Sequence, residues 1–281
     1  MRRGRLSGHA DAIRPNPKET RAMSHIETTV DGHVLAIKVN RPDKLNALSP
    51  DMYNDLALAL GQLEREPELR VGLIHAEGKH FSAGVELDKW APVFARGEGF
   101  PCPENGIDPF ALSGPRCSKP VVMAVQGYCY TWGVEVMLNT DVRVAADDTR
   151  FAMLEVKRGI YPCGGATLRL PAQMGWANAQ RYLLTGDAWS AAEAYRTGLV
   201  QEVVSPGEQL RAARAIAERM AAAAPLGVQA ILRSSRAAYN EGDAVAAARI
   251  FEDMPAVMAS EDAKEGLQSF LERRDAVFRG R

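Results

Sequence analysis

Cysteine is scarce in this 281-residue chain. The four present, Cys102, Cys117, Cys129 and Cys163, are widely spaced and match no zinc-ligand or dithiol pattern. No metal site is expected, and the thiols read as buried or neutral groups in a reducing, cytoplasmic compartment. Net charge is missing too: 34 basic residues face 35 acidic ones. That balance supplies no global attraction for nucleic acid, so no nucleic-acid partner is expected. No apolar run approaches the roughly 20 residues that cross a bilayer, and no membrane partner is expected. The five histidines are scattered, and none joins a serine or an acid in a triad pattern. No repeat of solenoid period occurs. Hydrophobic residues still make up 46% of the chain, ample for a full core.

The first 21 residues lack apolar periodicity and carry Arg2, Arg3, Arg5, Arg14 and Arg21. A signal peptide needs an apolar centre, which is absent, and Asp11 and Glu19 count against a transit peptide. Residues 1–23 are expected to be a disordered or partner-dependent arm. A core over 24–205 and a helical region over 206–281 follow, divided by a composition shift near Ser205.

His25 to Val30 and Val34 to Val39 flank Asp31-Gly32 and predict a β-hairpin with a tight primed turn. Ser49 followed by Pro50 opens a helix to about Glu66, with Met52, Leu56, Leu60 and Leu63 on one face. Arg70 to Ala76 is a strand, and the glycine-bearing loop Glu77 to Val85 feeds Glu86-Leu87-Asp88. From Trp90 to Cys117 periodicity is lost, which predicts a functional lid or a mobile surface loop.

The chain is organised around Lys119 to Glu155. Pro120 to Val125 reads as a buried strand, broken by Gln126-Gly127-Tyr128-Cys129. Thr131-Trp132-Gly133 leads into the helix Val134 to Leu138, which carries Glu135. Val142 to Ala146 is strand-like, and Phe151 to Glu155 sets a second carboxylate at the end of an apolar run. Beyond a glycine-rich turn at Gly159 to Ala166, helices are expected over 167–174, 177–184 and 191–197, and a last strand over 199–204. Four more helices are expected over 208–224, 225–240, 243–260 and 261–273.

Two loops, Ala83-Gly84-Val85 and Thr131-Trp132-Gly133, each lie between a strand and a helix start. Unpaired N–H groups there point outward and suit developing negative charge. Two of them aimed at one point make an oxyanion hole; a single such loop does no more than permit a tight turn. Glu135 and Glu155, in apolar surroundings, are the candidate acid–base pair, because burial raises a carboxyl pKa toward neutrality. The competing reading is a structural glutamate held by a backbone amide or by Arg143.

Several motifs fall in one order: Asn46-Ala47-Leu48, Phe81 to Leu87, Gln126-Gly127-Tyr128, Gly133-Val134-Glu135, Phe151 with Glu155, Gly159 with Gly164-Gly165, and Gly198-Leu199-Val200. Together they resemble the enoyl-CoA hydratase/isomerase (crotonase) superfamily over about Ile26 to Val204. The resemblance implies an α/β fold, a spiral of ββα units with a C-terminal helical trimerisation region. It also implies an acyl-CoA thioester substrate and a homotrimer or dimer of trimers. Coenzyme A enters as part of the substrate, and no separate cofactor is implied.

Carried over by position, the N–H groups of Val85 and Trp132 hold the thioester oxygen, with Gly133 one place along as the alternative donor. Glu135 activates water and Glu155 delivers a proton. Ser82, Ala83, Gly84, Glu86 and Leu87 line the CoA side, and Lys44 or Lys79 meets phosphate. Three departures stand out: Thr131-Trp132-Gly133 where relatives carry three glycines, Glu86 where they carry Asp, and Leu154 where they carry Pro. Retention of both glutamates implies hydration or dehydration of an enoyl thioester. The departures leave open a carnitinyl-CoA-like dehydratase, an isomerase or C–C hydrolase using one glutamate, or a non-catalytic CoA- or RNA-binding relative.

Overall fold

Alternation along a few short strands builds two cores from one sheet. The computed structural model describes residues 20–23 and 25–281. Strands β1 (Thr20–Met23), β2 (Ile26–Asp31) and β3 (Val34–Val39) pair antiparallel in sequence. The expected arm therefore ends in a strand at Thr20, and the rest of that expectation lies outside the described residues. Asp31 pairs with Val34, so the turn residues are Gly32 and His33, one place beyond the expected pair. Gly32 takes φ +58°, which a tight primed turn requires at its first position.

Helix α1 (Pro50–Arg65) starts where Ser49 Oγ accepts the Met52 N–H at 3.2 Å, and leads to β4 (Val71–Ala76). Next come α2 (Leu87–Ala95), β5 (Val121–Val125), β6 (Tyr128–Tyr130), α3 (Trp132–Met137), β7 (Val142–Ala146) and β8 (Arg150–Ala152). A 3₁₀ turn over Glu155–Arg158 precedes α4 (Ala166–Met174), α5 (Trp176–Thr185), β9 (Trp189–Ser190), α6 (Ala191–Arg196) and β10 (Glu202–Val204). The tail is α7 (Gln209–Ala222), α8 (Pro225–Glu241), α9 (Asp243–Ala259) and α10 (Glu261–Glu272). The last expected strand is shorter than its apolar run. Leu199 is instead tied by its N–H to Ala194 O of α6 at 2.8 Å.

The main sheet has seven strands in the order β1-β2-β3-β4-β5-β7-β10, parallel from β3 onward. A smaller sheet holds β6, β8 and β9. Leu35, Ile37, Ile74, Met123, Val125 and Ala145 face the main core beneath α1 and the small sheet. Their alternates, Val34, Leu73, Val122, Ala124 and Val144, face Ala213, Ala217 and Ala221 of α7. Alanines four apart form one smooth stripe, which lets the helix lie close on the sheet. The expected strand–strand–helix repeat is present: β5-β6-α3, then β7-β8 and α4. β4 is followed by Ser82, which bridges to Cys129 in the small sheet, before α2.

The segment expected to be a lid is fastened. Its first part is helix α2, which the internal Pro92 hides from periodicity. Trp90 Nε1 donates to Leu48 O at 2.9 Å. Phe100 and Phe110 stack on Tyr53 at 5.3 and 5.8 Å between ring centroids. Buried Asp108 accepts from the N–H groups of Phe110, Leu112 and Ser113 (2.8–3.0 Å), from Ser113 Oγ at 3.2 Å and from Tyr53 OH at 3.0 Å. Asp108→Ala orphans those donors and is expected to cost about 3 kcal/mol. Urea unfolding measures the loss, and limited proteolysis should locate new cleavage between residues 100 and 114.

Candidate active site

Strand register brings the candidate residues together. Ser82 pairs in parallel with Cys129, and Cys129 pairs in parallel with Phe151. Val85 lies as far beyond Ser82 as Trp132 lies beyond Cys129, and Glu155 lies one place further beyond Phe151. Parallel segments run about 4.8 Å apart, so residues 85, 132 and 155 leave the small sheet side by side. The Gly84–Thr131 contact confirms this closeness: a β-carbon on Gly84 would stand 3.1 Å from Thr131 Oγ1.

Hydrogen-bond accounting around Val85 leaves one donor over. The N–H groups of Ser82, Ala83, Gly84 and Glu86 go to Tyr128 O, Leu45 O, Ser82 Oγ and Leu48 O at 2.8–3.0 Å. Gly84 O accepts the Leu48 N–H at 2.9 Å. Val85 N–H has no acceptor among the described residues. Nor does Trp132 N–H, which opens α3 and so lies outside the intrahelical ladder. Gly84 reaches this arrangement with φ +126°, a region closed to ordinary side chains.

Glu135 sits in the first turn of α3, fully surrounded by protein. Its Oε1 accepts the N–H of Gly164 at 2.7 Å and of Ala166 at 3.2 Å, at the start of α4. Burial raises its pKa to about 8, helped by the charge of Glu155; the two amides and Arg169 pull the other way. Glu155 begins the 3₁₀ turn, and its Oε2 is buried with no hydrogen-bond partner. Burial raises this carboxyl to about 7. Desolvation of the Cys163 thiol, and next the charges of Glu135 and Glu155, push it up to about 12, although the residue as a whole is exposed, against the expectation of a buried thiol. Two near-neutral carboxyls beside two free amides can exchange protons at a carbonyl compound that the amides hold.

The remaining expected site residues divide. Ser82 Oγ is consumed inside the loop, donating to Asn46 O at 2.9 Å and accepting the Gly84 N–H at 3.0 Å. Ser82 therefore shapes the loop through its side chain and keeps no free polar group. Glu86 is bound by Arg41 at 3.0 Å and Lys89 at 2.7 Å, and Arg41 first among them drives its pKa down to about 2. Its carboxylate anchors the start of α2. Ala83 O accepts no backbone or side-chain hydrogen bond among the described residues. Lys44 and Lys79 are exposed, and Leu87 begins α2 partly buried. Gly133 packs its hydrogen face toward Cys129 Sγ and Phe81, and lies one place past the position in register with Val85.

The Trp132 ring is wholly buried, tilted against Phe81 at 5.7 Å. At the three-glycine departure the strain falls on Thr131, which is held at φ +48° with its buried hydroxyl unpartnered. Sequence reading passes over Asn46 as a fastener. Its Oδ1 accepts the Arg41 N–H at 2.7 Å, and its Nδ2 donates to Glu77 O and His80 O at 3.0 and 2.9 Å. The amides of Gly164 and Ala166 were also missed; the glycine-rich turn there was their only signal.

Among the described residues no group of three His, Cys, Asp or Glu side chains could hold a metal, and no single helix is long and apolar enough to cross a membrane. The family model described as enoyl-CoA hydratase/isomerase matches residues 29–281. The chain belongs to this family and has the crotonase fold. It is 36% identical over 253 residues to enoyl-CoA hydratase EchA19 of Mycobacterium tuberculosis, covering 89% of this chain and 94% of that one. It is also 36% identical over 265 residues to carnitinyl-CoA dehydratase of Salmonella typhimurium, covering 91% and 98%. A crystal structure of a probable enoyl-CoA hydratase/isomerase from Mycobacterium abscessus superposes with TM-score 0.90 at 45% identity, covering 92% of this chain and 100% of that chain.

Proposed function

We propose that the chain is an acyl-CoA hydratase/dehydratase that adds water across the 2,3 double bond of an enoyl thioester. One observation supports this reading: both glutamates are present, Glu135 buried and raised in part by the charge of Glu155, on segments whose register runs beside the two unpaired amides. The Val85 and Trp132 N–H groups polarise the thioester carbonyl and stabilise the enolate-like state. Glu135 takes a proton from water as the oxygen attacks the β-carbon, and Glu155 supplies a proton to the α-carbon. Dehydration reverses these steps. The thioester supplies the acidity, so the mechanism uses no metal or redox group.

The CoA moiety runs past Ala83, whose free carbonyl can accept an amide N–H, and Lys44 meets phosphate. A relative named carnitinyl-CoA dehydratase at 36% identity favours a dehydratase variant of the same chemistry over a one-glutamate isomerase or hydrolase. Trimeric assembly, or a dimer of trimers, is proposed on the exposed apolar face of α9, where Ile250, Phe251, Met254 and Met258 are uncovered.

Crotonyl-CoA offered to the purified protein should lose its enoyl-thioester ultraviolet absorbance as water adds. Absence of that change across short, long and branched enoyl-CoA substrates would overturn the proposal. The pair works with one proton between its two carboxyls. That proton rests mainly on Glu135, and hydration draws on the less populated form that carries it on Glu155, so the rate should follow a bell-shaped pH profile centred between about 7 and 8.

A further inference from the structure

Behind the glutamates, three arginines from distant segments converge on one cavity. Arg116 precedes β5, Arg169 lies on α4, and Arg236 lies on α8. The cavity measures about 230 Å³ and is also lined by Asn139, Gln173 and Tyr239. Its charges do not balance. Arg236 pairs with Asp141 at 3.1 Å and donates to Cys117 O at 2.5 Å. Arg169 spends its guanidinium on the carbonyls of Phe110 and Ala111, at 2.7 and 2.8 Å, which carry no net charge. Arg116 makes no hydrogen bond or ion pair with any described residue, though it is half-buried. Burial, then repulsion from Arg169 and Arg236, holds its basicity below the ordinary value.

Asp141, the one carboxylate on the cavity wall, is paired with Arg236, and Arg169 also feels Asp108 and Glu135. Arg116 is left half-buried beside two other guanidinium groups with no carboxylate in contact. Such an arrangement is costly when empty of counter-charge and is relieved by an anion. A free guanidinium fork recognises planar or tetrahedral oxyanions through paired N–H donors. The Tyr239 hydroxyl is close enough to interact electrostatically with both Arg116 and Arg169, and supplies a neutral donor beside them.

We propose that the cavity between α3, α4 and α8 is a binding site for a small free oxyanion of the phosphate or dicarboxylate class, gripped by Arg116. The site is separate from the thioester-binding amides and does not depend on the reaction proposed above. The cavity wall begins at Leu138, the residue that closes α3, and the helix carries Glu135 in its first turn, so a bound anion sits at the opposite end of the helix that holds this carboxyl.

The test uses the full chain at constant ionic strength, with chloride replaced stepwise by inorganic phosphate and, separately, by succinate. A saturable rise in melting temperature is expected, growing with the logarithm of anion concentration above the binding constant. Arg116→Met should weaken the anion at least tenfold by calorimetry, and Tyr239→Phe severalfold. Should Arg116→Met fail to fold, Arg116→Lys keeps the charge without the fork and must still bind more weakly than the parent. Equal responses of parent and variants, or no saturable response in the parent, would overturn the site. So would a change of assembly state in Arg116→Met with anion binding unaltered, because a second copy's carboxylate would then be the natural partner.

Discussion

Glu135→Gln is expected to lower turnover by at least ~10²-fold while making the protein more stable than its parent at pH 8.5. The two effects share one cause. Burial, and next the Glu155 charge, raise the folded-state pKa of Glu135 from 4.5 to about 8. Between those values the native state binds more protons than the unfolded chain, so parent stability falls as pH rises through that window. Glutamine does not titrate, and its carbonyl oxygen still accepts from Gly164 and Ala166. The variant should therefore gain about 2–4 kcal/mol relative to the parent at pH 8.5, from ~1.4 kcal/mol per pKa unit less the orphaned amide N–H. At pH 4.5 the gain should vanish. Denaturant unfolding at the two pH values measures this, and the turnover assay measures the rest. Glu155→Gln should follow the same pattern with a smaller gain, because that carboxyl is raised only to about 7. A Glu135→Gln protein that keeps full turnover would remove Glu135 from the chemistry. One that is less stable at pH 8.5 would show that the ionised carboxylate is a structural requirement.

Strands and helices with strong periodicity were legible from the chain, because burial imposes period two or 3.6 on them. The helices of the tail match their expected bounds to within two residues, since Pro225 and the Ser260 cap punctuate them. The small sheet was not legible. β6 and β8 are three residues long, too short for a period, and their pairing is decided by the register of strands far away. That same register selects Trp132 as the neighbour of Val85, which spacing alone could not do. Both glutamates were visible as carboxylates in apolar runs, but their nearness depends on the register of the small sheet, and the bonds that hold Glu135 depend on the turn at Gly164. The segment over 90–117 shows no period because Pro92 interrupts α2 and Asp108 organises the later part through local hydrogen bonds, a device that leaves no pattern.

Thr131 shows how local strain and global fold are reconciled. A threonine at φ +48° with an orphaned hydroxyl conflicts with its own backbone preference. It persists because its neighbours fix the chain path: its N–H is held by Ala152 O at 2.9 Å, and the next residue's ring is locked in the core. Rigid placement of the Trp132 amide follows from that over-determination, and a donor that needs no reorganisation is the most effective kind at an oxyanion.

The same logic makes Gly164→Ala the most damaging small change available at the site. A β-carbon there would stand 2.4 Å from Glu135 Oε2 and 2.7 Å from its Cδ, far inside contact distance. Gly164 does not take a positive φ, so alanine meets no backbone objection, and the clash falls chiefly on the carboxyl, with a lesser one on Phe110 Cδ1 at 3.0 Å. Either Glu135 leaves the amides of residues 164 and 166, or the turn opens and carries them away. Turnover is expected to drop at least ~10²-fold with little change in KM, and stability by about 1–3 kcal/mol for the overpacking. Gly159→Ala is the control: its φ of +73° imposes strain, but nothing lies within 4 Å of the new methyl. It should lose about 1 kcal/mol of stability and keep its turnover. The double variant Gly164→Ala/Glu135→Gln separates the causes. Because both changes act on one carboxyl, its turnover should be no lower than that of Glu135→Gln alone, whereas independent faults would multiply.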